Sequence, residues 1–217
     1  MKLAIFDMDG TLIDSQAVIV AAMDAAFAGV GLSPPGREAT LSIVGLSLPQ
    51  AMDRLAPREA GPEMLARLVE AYRDGFSSQR ARLGEGAVPL YPGARAALEG
   101  LHQAGWTLGV ATGKSRRGVD HAFAAHDLGG FFATVQTADG HPSKPHPSMV
   151  LRALEETGAP AGAAVMIGDT TFDIEMGVAA GVSGIGVDWG YHPVASLRAA
   201  GAAHILTHFD ELVPLLT

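Results

Sequence analysis

The stretch Phe6-Asp7-Met8-Asp9-Gly10-Thr11-Leu12 decides the fold and the chemistry expected of this chain. The apolar run 3–6 that leads into it predicts a buried strand. Because alternate side chains of an extended chain point the same way, Asp7 and Asp9 can face one site where that strand ends. Gly10 allows a sharp turn there, and two like charges so close require a cation or a shared proton. The stretch favours a metal-assisted reaction over the alternative, a solvated turn that carries two acids.

The composition of the chain limits which classes of protein and partner are expected. Its 217 residues, 48% of them apolar and 18% charged, predict a packed core domain with room for a smaller insert. A net charge of −8 without a basic block argues against nucleic acid and acidic membranes as partners, and the lack of cysteine excludes thiol chemistry. Because Lys2 leads directly into a strand and no apolar run approaches about 20 residues, we expect a cytoplasmic protein.

Residues 15–85 show helical spacing of apolar side chains and no strand pattern. One helix is predicted over 14–28, and glycine and proline residues then break the chain. Further helices are predicted from Glu38, from Leu48 and over Pro62–Ser78. We therefore predict a small all-helical cap domain, residues 15–85, inserted after the first strand.

The rest of the chain alternates between helical segments and short apolar strands. The predicted strands are 107–111, 133–136, 164–167 and 184–187, and the predicted helices are 94–103, 115–126, 147–157 and 172–180. This alternation predicts an α/β fold with a doubly wound, parallel, Rossmann-like sheet, formed by residues 1–14 and 86–217. The tail adds an edge strand over 203–206 and a closing helix over 209–216. Such sheets carry their sites at the carboxyl ends of the strands.

Polar side chains follow the predicted strands at those ends. The groups after the second, third and fourth strands are Thr112-Gly113-Lys114, Ser143-Lys144 and Gly168-Asp169 with Asp173. Each alone has an ordinary explanation, such as a helix cap, a loop lysine or a surface acid. Together with Asp7 and Asp9 they bring carboxylates, an amine and a hydroxyl to one crevice, and two of the three lysines in the chain lie among them.

Phosphoryl transfer is the chemistry that these groups fit. A phosphate dianion approaches a carboxylate nucleophile only if a cation cancels the repulsion, and Mg²⁺ suits a site of about two carboxylates, waters and a substrate oxygen. The nucleophile would form an acyl-phosphate, which divides one displacement into two easier ones. Lys144 would neutralise a phosphoryl oxygen and hold Asp7. The remaining oxygens would be bound by the Thr112 hydroxyl and by backbone N–H groups near Asp9, Gly10 and Gly113.

Four motifs in order resemble those of the haloacid dehalogenase superfamily: Asp7-Met8-Asp9-Gly10-Thr11, Thr112, Lys144 and Gly168-Asp169 with Asp173. The insert resembles the subgroup with a helical cap after the first motif. The overall pattern, including Val44-Gly45-Leu46-Ser47 in the cap, is most similar to phosphoglycolate phosphatase-like members.

The resemblance implies a role for each motif residue. Asp7 would be the nucleophile, and Asp9 would protonate the leaving oxygen and then deprotonate the attacking water. Thr112 and Lys144 would hold the phosphoryl group. Mg²⁺ would be held by the Asp7 carboxylate, the Asp9 backbone carbonyl and Asp169, with Asp173 supporting the site through water or by orienting Lys144.

Departures from the motifs separate activities within the superfamily. The dehalogenases lack the second aspartate, so Asp9 argues against dehalogenation. Phosphonoacetaldehyde hydrolases lack it too and use a cap lysine, whereas residues 15–85 contain no lysine. Sugar phosphomutases of the β-phosphoglucomutase type keep both aspartates but typically have valine or isoleucine in place of Thr11. They stay the alternative to a phosphatase.

The cap is expected to set substrate choice because it closes over the site. The loop 45–47 is a candidate substrate contact, with a simple helix-joining turn as the alternative. A second candidate, 188–192, follows the last main strand, although its aromatic residues favour packing. The substrate-binding candidates are Gly10, Thr11, Gly45, Ser47 and Gly113.

We therefore expect a Mg²⁺-dependent phosphatase for a small phosphorylated metabolite, acting as a monomer or homodimer. A non-catalytic regulator that kept the fold is a further alternative. Such a protein usually loses the nucleophile or a metal ligand, and neither is lost here.

Overall fold

The computed structural model describes the backbone of residues 1–217 and every side chain except that of Glu85. The strands are β1 (Lys2–Phe6), β2 (Trp106–Thr112), β3 (Phe132–Thr137), β4 (Ala164–Gly168), β5 (Ser183–Val187) and β6 (Ala202–Leu206). The helices are α1 (Gln16–Gly29), α2 (Arg37–Ser42), α3 (Leu48–Leu55), α4 (Pro62–Leu83), α5 (Ala94–Gln103), α6 (Arg116–His126), α7 (Ser148–Thr157), α8 (Thr171–Ala179), α9 (Val194–Ala199) and α10 (Leu212–Leu216). Among the helices described, none combines the length and the apolarity that crossing a membrane requires.

In the described part of the chain, six parallel strands form one sheet in the order β3-β2-β1-β4-β5-β6. β1 lies inside the sheet, where Phe6 pairs with Val110 of β2 and with Ile167 of β4. β6 lies at one edge, as predicted. The predicted doubly wound parallel sheet is confirmed. Its registers bring the end of β1 next to the ends of β2 and β4, at Thr112 and Gly168.

β1 is buried on both faces of the sheet. Ala4 and Phe6 pack into one apolar cluster, and Leu3 and Ile5 pack into another. All four side chains are fully buried because helices cover both faces of a doubly wound sheet. A polar group therefore has no place between Leu3 and Phe6, and Asp7 comes directly at the carboxyl end of the strand.

Helices α1, α3 and α4 pack around a third apolar cluster, which includes Phe27, Met52 and Leu68. Within the described residues of this segment, no strand occurs between α1 and α4. The division into a core of residues 1–14 and 86–217 and a cap of residues 15–85 stays a prediction.

The two connections between the cap and the sheet run side by side. The Asp14 N–H donates to the Pro89 carbonyl at 2.8 Å, and the Tyr91 N–H donates to the Leu12 carbonyl at 2.9 Å. The chain therefore enters and leaves the cap at one place.

Helix α4 is longer than predicted, because it ends at Leu83 rather than at Ser78. The apolar stripe that predicts the helix consists of Leu65, Leu68, Val69, Tyr72 and Phe76 and so stops at Phe76. The helix continues through a polar stretch with Arg80 and Arg82 in its last turn, where basic side chains interact favourably with the helix dipole. Apolar periodicity marks only the packed part of a helix.

Phe172, at the start of α8 in the core, packs into the apolar cluster of the cap. Its ring centroid also lies 5.2 Å from the guanidinium carbon of Arg54 in α3. We expect Phe172→Ala to lower the free energy of unfolding by about 3 kcal/mol, because it leaves a cavity between cap and core. Urea denaturation measures the loss, and amide hydrogen exchange should rise in α2 and α3. Leu151→Ala is the control, since that side chain is 48% exposed; an equal loss there would contradict an anchoring role.

Candidate active site

The side chains predicted to share a crevice meet at the carboxyl edge of the sheet. Asp7, Thr112, Lys144, Asp169 and Asp173 are each no more than 1% exposed. Burying charges is costly unless each is paired or hydrogen-bonded. The contacts of this group therefore show which charges the protein itself compensates.

Lys144 bridges two carboxylates. Its Nζ donates to Asp7 Oδ1 at 2.7 Å and to Asp173 Oδ1 at 2.5 Å. Burial alone lowers the pKa of Lys144, but the charges of Asp173 and Asp7 outweigh it and raise the pKa above its ordinary value. The ammonium therefore stays charged and holds Asp7 in place, as predicted from the sequence chemistry.

Asp173 is fixed by the start of helix α8. Its Oδ2 accepts from the Thr170 hydroxyl at 2.7 Å and from the Thr170 N–H at 3.0 Å, which completes a capping box. Its Oδ1 accepts from Lys144. Of the two roles considered for Asp173, the structure shows the contact that orients Lys144.

The carboxylates of Asp7, Asp169 and Asp173 form a compact acidic cluster. Among the residues described, these offer one oxygen each within 4.8 Å of one another. Burial raises the pKa of Asp7 to about 7 and that of Asp169 well above its ordinary value, although Lys144 lowers the former. Asp7 Oδ2 is buried and has no hydrogen-bond partner in the described structure. An unpartnered buried oxygen in an acidic cluster fits a cation site of hard oxygen ligands.

Asp9 lies outside this cluster and makes separate contacts. Its Oδ1 accepts from the Ser15 hydroxyl at 2.6 Å, and its Oδ2 pairs with Lys114 Nζ at 2.7 Å. The Ser15 hydroxyl lies in turn 3.2 Å from the Tyr191 hydroxyl. The carboxylate of Asp9 is thus held apart from the acidic cluster, and the expected contribution of Asp9 to a metal site, through its backbone carbonyl, stays a prediction.

Comparison with known proteins identifies the family of this chain. The family described as haloacid dehalogenase-like hydrolase matches residues 4–187, which contain every motif residue named above. The chain belongs to this family. It is 36% identical over 213 residues to the probable phosphatase IndB of Dickeya dadantii (strain 3937), covering 97% of this chain and 91% of the relative.

Two further proteins extend the comparison of this haloacid dehalogenase-like hydrolase. A phosphoglycolate phosphatase of Pseudomonas savastanoi pv. phaseolicola is 30% identical over 215 residues, covering 98% of this chain and 79% of the relative. The solved structure of a putative β-phosphoglucomutase from Bacteroides vulgatus has a TM-score of 0.82 at 26% identity, covering 99% of this chain and 86% of that one. The predicted superfamily, fold and enzyme class, a phosphatase-type hydrolase, are confirmed.

Thr11 and Gly10 support Asp169 in this hydrolase instead of offering free donors. The Thr11 hydroxyl donates to Asp169 Oδ1 at 2.9 Å. The N–H groups of Gly10 and Thr11 donate to the carbonyls of Ile13 and Met8, which closes the turn. A Cβ at Gly10 would overlap the Asp169 carboxylate, and its φ of +89° also favours glycine. These N–H groups are engaged within the turn, and the binding of substrate by Gly10 and Thr11 stays a prediction.

Thr112 and Gly113 lie at the end of β2 beside the cap. The Thr112 hydroxyl accepts from the Lys114 N–H at 3.2 Å, which leaves its own proton to donate. A Cβ at Gly113 would lie 2.5 Å from the Gly45 carbonyl oxygen, so only glycine allows the cap loop to come this close. Their contacts with a phosphoryl group stay predictions.

The cap loop predicted to contact substrate packs on the strand-end loops of the core. The Ser47 N–H donates to the Ser143 hydroxyl at 2.8 Å, next to Lys144. Gly45 has a φ of +99°, and a Cβ there would lie 3.1 Å from the Thr170 hydroxyl. The loop thus adjoins the site, and direct contact of Gly45 and Ser47 with substrate stays a prediction.

Two residues of the site, Ser15 and Lys114, have no assigned role in the sequence prediction. Tyr191 lies in the segment 188–192, the second candidate for contact with substrate, and that contact stays a prediction. The Tyr191 N–H donates to Asp169 Oδ2 at 2.9 Å, while its hydroxyl lies near Ser15. Lys114 carries a signal in the sequence, since it lies two residues after Thr112 at a strand end. Nothing in the sequence pairs Tyr191 with Ser15, because the two are 176 positions apart.

Proposed function

We propose that this protein is a Mg²⁺-dependent phosphomonoesterase that hydrolyses small phosphorylated metabolites through an aspartyl-phosphate on Asp7. One observation carries the proposal. Asp7 is a buried carboxylate with Oδ1 bound by Lys144 and, within the described structure, with Oδ2 free of any hydrogen bond. A carboxylate held on one oxygen and open on the other is arranged as a nucleophile.

The proposed reaction has two steps. In the first, a carboxylate oxygen of Asp7 bonds to phosphorus while the bond between phosphorus and the ester oxygen breaks, and Asp9, which enters this step in its protonated form, gives its proton to the leaving oxygen. In the second, Asp9 takes a proton from a water that attacks phosphorus, and the bond to Asp7 breaks. Phosphate is released, Asp7 is again a carboxylate and Asp9 is again protonated. Lys144 keeps Asp7 oriented throughout.

The residues present fit Mg²⁺, and Asp7, Asp169 and the Asp9 carbonyl would hold it, with Asp173 supporting them. When bound, the ion supplies positive charge that offsets repulsion between phosphate and carboxylate. The protein orients one of these ligands. The Thr11 hydroxyl and the Tyr191 N–H each donate to one oxygen of Asp169 and so fix the orientation of its carboxylate.

Asp169→Asn is expected to weaken Mg²⁺ binding by at least about tenfold, because one ligand charge is lost. Binding to the folded state raises the unfolding temperature, so Mg²⁺ titrations followed by thermal unfolding report it without any turnover. Asp188→Asn is the matched control, since Asp188 is exposed nearby. An equal Mg²⁺-dependent shift in Asp169→Asn and wild type would refute the ligand role.

Phosphate release across a panel of metabolites tests the proposed function. The phosphoglycolate phosphatase relative supports including small phosphorylated acids. The similar solved structure of a putative β-phosphoglucomutase supports one alternative, a sugar phosphomutase. Incubation with a hexose 1-phosphate and its bisphosphate separates the two, since isomer formation without net phosphate release would exclude the phosphatase. The cytoplasmic location and the monomeric or homodimeric state stay predictions.

A further inference from the structure

Both carboxylate oxygens of Asp9 are engaged by the protein. Lys114 Nζ lies 2.7 Å from Oδ2, with both side chains only 13% exposed, and Ser15 donates to Oδ1. In this arrangement neither oxygen is presented to a leaving group. The proposed reaction needs one of them, so a substrate must displace one of these two contacts.

Lys114 is the contact that a substrate can reach, because it lies between Asp9 and the cap. Its ammonium lies 5.0 Å from the ring centroid of Phe76 in α4, a cation–π distance. The Phe76 ring lies 6.0 Å from that of Tyr72. Ser15, in contrast, is fully buried.

We propose that Lys114 selects substrates with an anionic leaving group, and that this group frees Asp9 by taking the lysine as its own partner. The inference rests on the proposed function. Asp9 protonates the ester oxygen in the proposed reaction, and Lys114 contacts Asp9. The alcohol part of the substrate therefore lies next to Lys114.

The distances suit a short carboxylate. The 2.7 Å contact between Nζ and Asp9 Oδ2, followed by a hydrogen bond of about 2.8 Å to the ester oxygen, puts the ammonium within about 5.5 Å of that oxygen. A carboxylate one or two carbons from the ester oxygen bridges this gap with a charge-assisted hydrogen bond. A neutral alcohol leaves Lys114 on Asp9 and is turned over more slowly.

Two substrates of equal length test the proposal. Phosphoglycolate carries a carboxylate where ethyl phosphate carries a methyl group. With Mg²⁺, wild-type kcat/KM is expected to favour phosphoglycolate by about 10- to 100-fold, the range of a charge-assisted hydrogen bond. Lys114→Met keeps the length of the side chain and removes its charge, so it should lower this ratio by the same factor. Lys114→Arg should keep most of the ratio, and Phe76→Leu should lower it about 2- to 5-fold.

Lys2→Met is the matched control, because Lys2 Nζ lies 5.2 Å from the Trp106 ring centroid. It should leave the ratio at the wild-type value. Equal losses on both esters in Lys114→Met would show a merely structural role and overturn the proposal, as would a wild type without discrimination. Phosphate release from neutral esters alone would overturn this inference and leave the proposed function standing. If no ester of the panel releases phosphate, both this inference and the proposed function are overturned.

Discussion

Replacing Asp7 by asparagine is expected to lower kcat by about 10⁴-fold or more while the protein stays folded. The amide cannot form the bond to phosphorus, yet it keeps the volume of the carboxyl group and still offers Oδ1 to Lys144. Because burial already opposes a charge at Asp7, we expect the unfolding midpoint to be equal to or slightly above the wild-type value.

Phosphate release and thermal unfolding, measured on the same preparation, check the Asp7→Asn prediction. Asp53→Asn makes the same chemical change on an exposed surface and should behave as wild type. Turnover within tenfold of wild type would contradict an aspartyl-phosphate on Asp7. So would a labelled phosphoenzyme that forms in Asp7→Asn as readily as in the wild type.

Lys144→Met is expected to abolish turnover and, without Mg²⁺, to lower the free energy of unfolding by about 3–5 kcal/mol. The ammonium contacts Asp7 and Asp173, and its removal leaves both carboxylates buried without their cation. Urea denaturation in the presence of a chelator measures the loss. Mg²⁺ should restore part of the stability, because a bound cation supplies some of the missing charge.

A second substitution separates charge from packing in Lys144→Met. Adding Asp173→Asn removes one uncompensated carboxylate, so the double variant should be more stable than Lys144→Met alone. Activity should stay lost, since Lys144 is still absent. If the double variant is no more stable, the loss comes from packing and the ion-pair account is wrong.

The sheet and its strand ends were open to prediction from sequence because they depend on local patterns. An apolar run followed by Asp7 indicates where β1 ends, and alternating strands and helices indicate that Asp169 ends up beside it. The bounds of α5, Ala94–Gln103, agree with the predicted range for the same reason. The family motifs add Lys144, whose loop lies far from Asp7 in the chain.

The sequence does not reveal contacts for which side chains and backbone groups choose between several partners. The turn after Asp9 is evident from Gly10, but sequence does not show that the Gly10 N–H closes the turn onto Ile13. The pairing of Lys114 with Asp9 depends on how the end of β2 lies against that turn. Such choices are decided by packing angles between elements, which periodicity does not encode.

The paired connections at residues 12–14 and 89–91 also bear on how this protein could have acquired its cap. Their backbones are hydrogen-bonded to each other, so the two ends of the inserted segment are held together whatever lies between them. Closing a loop of different length across such fixed ends changes the entropy only slowly with length. The helical segment between these ends can therefore be exchanged for one of another length while the strand that ends at Asp7 keeps its position.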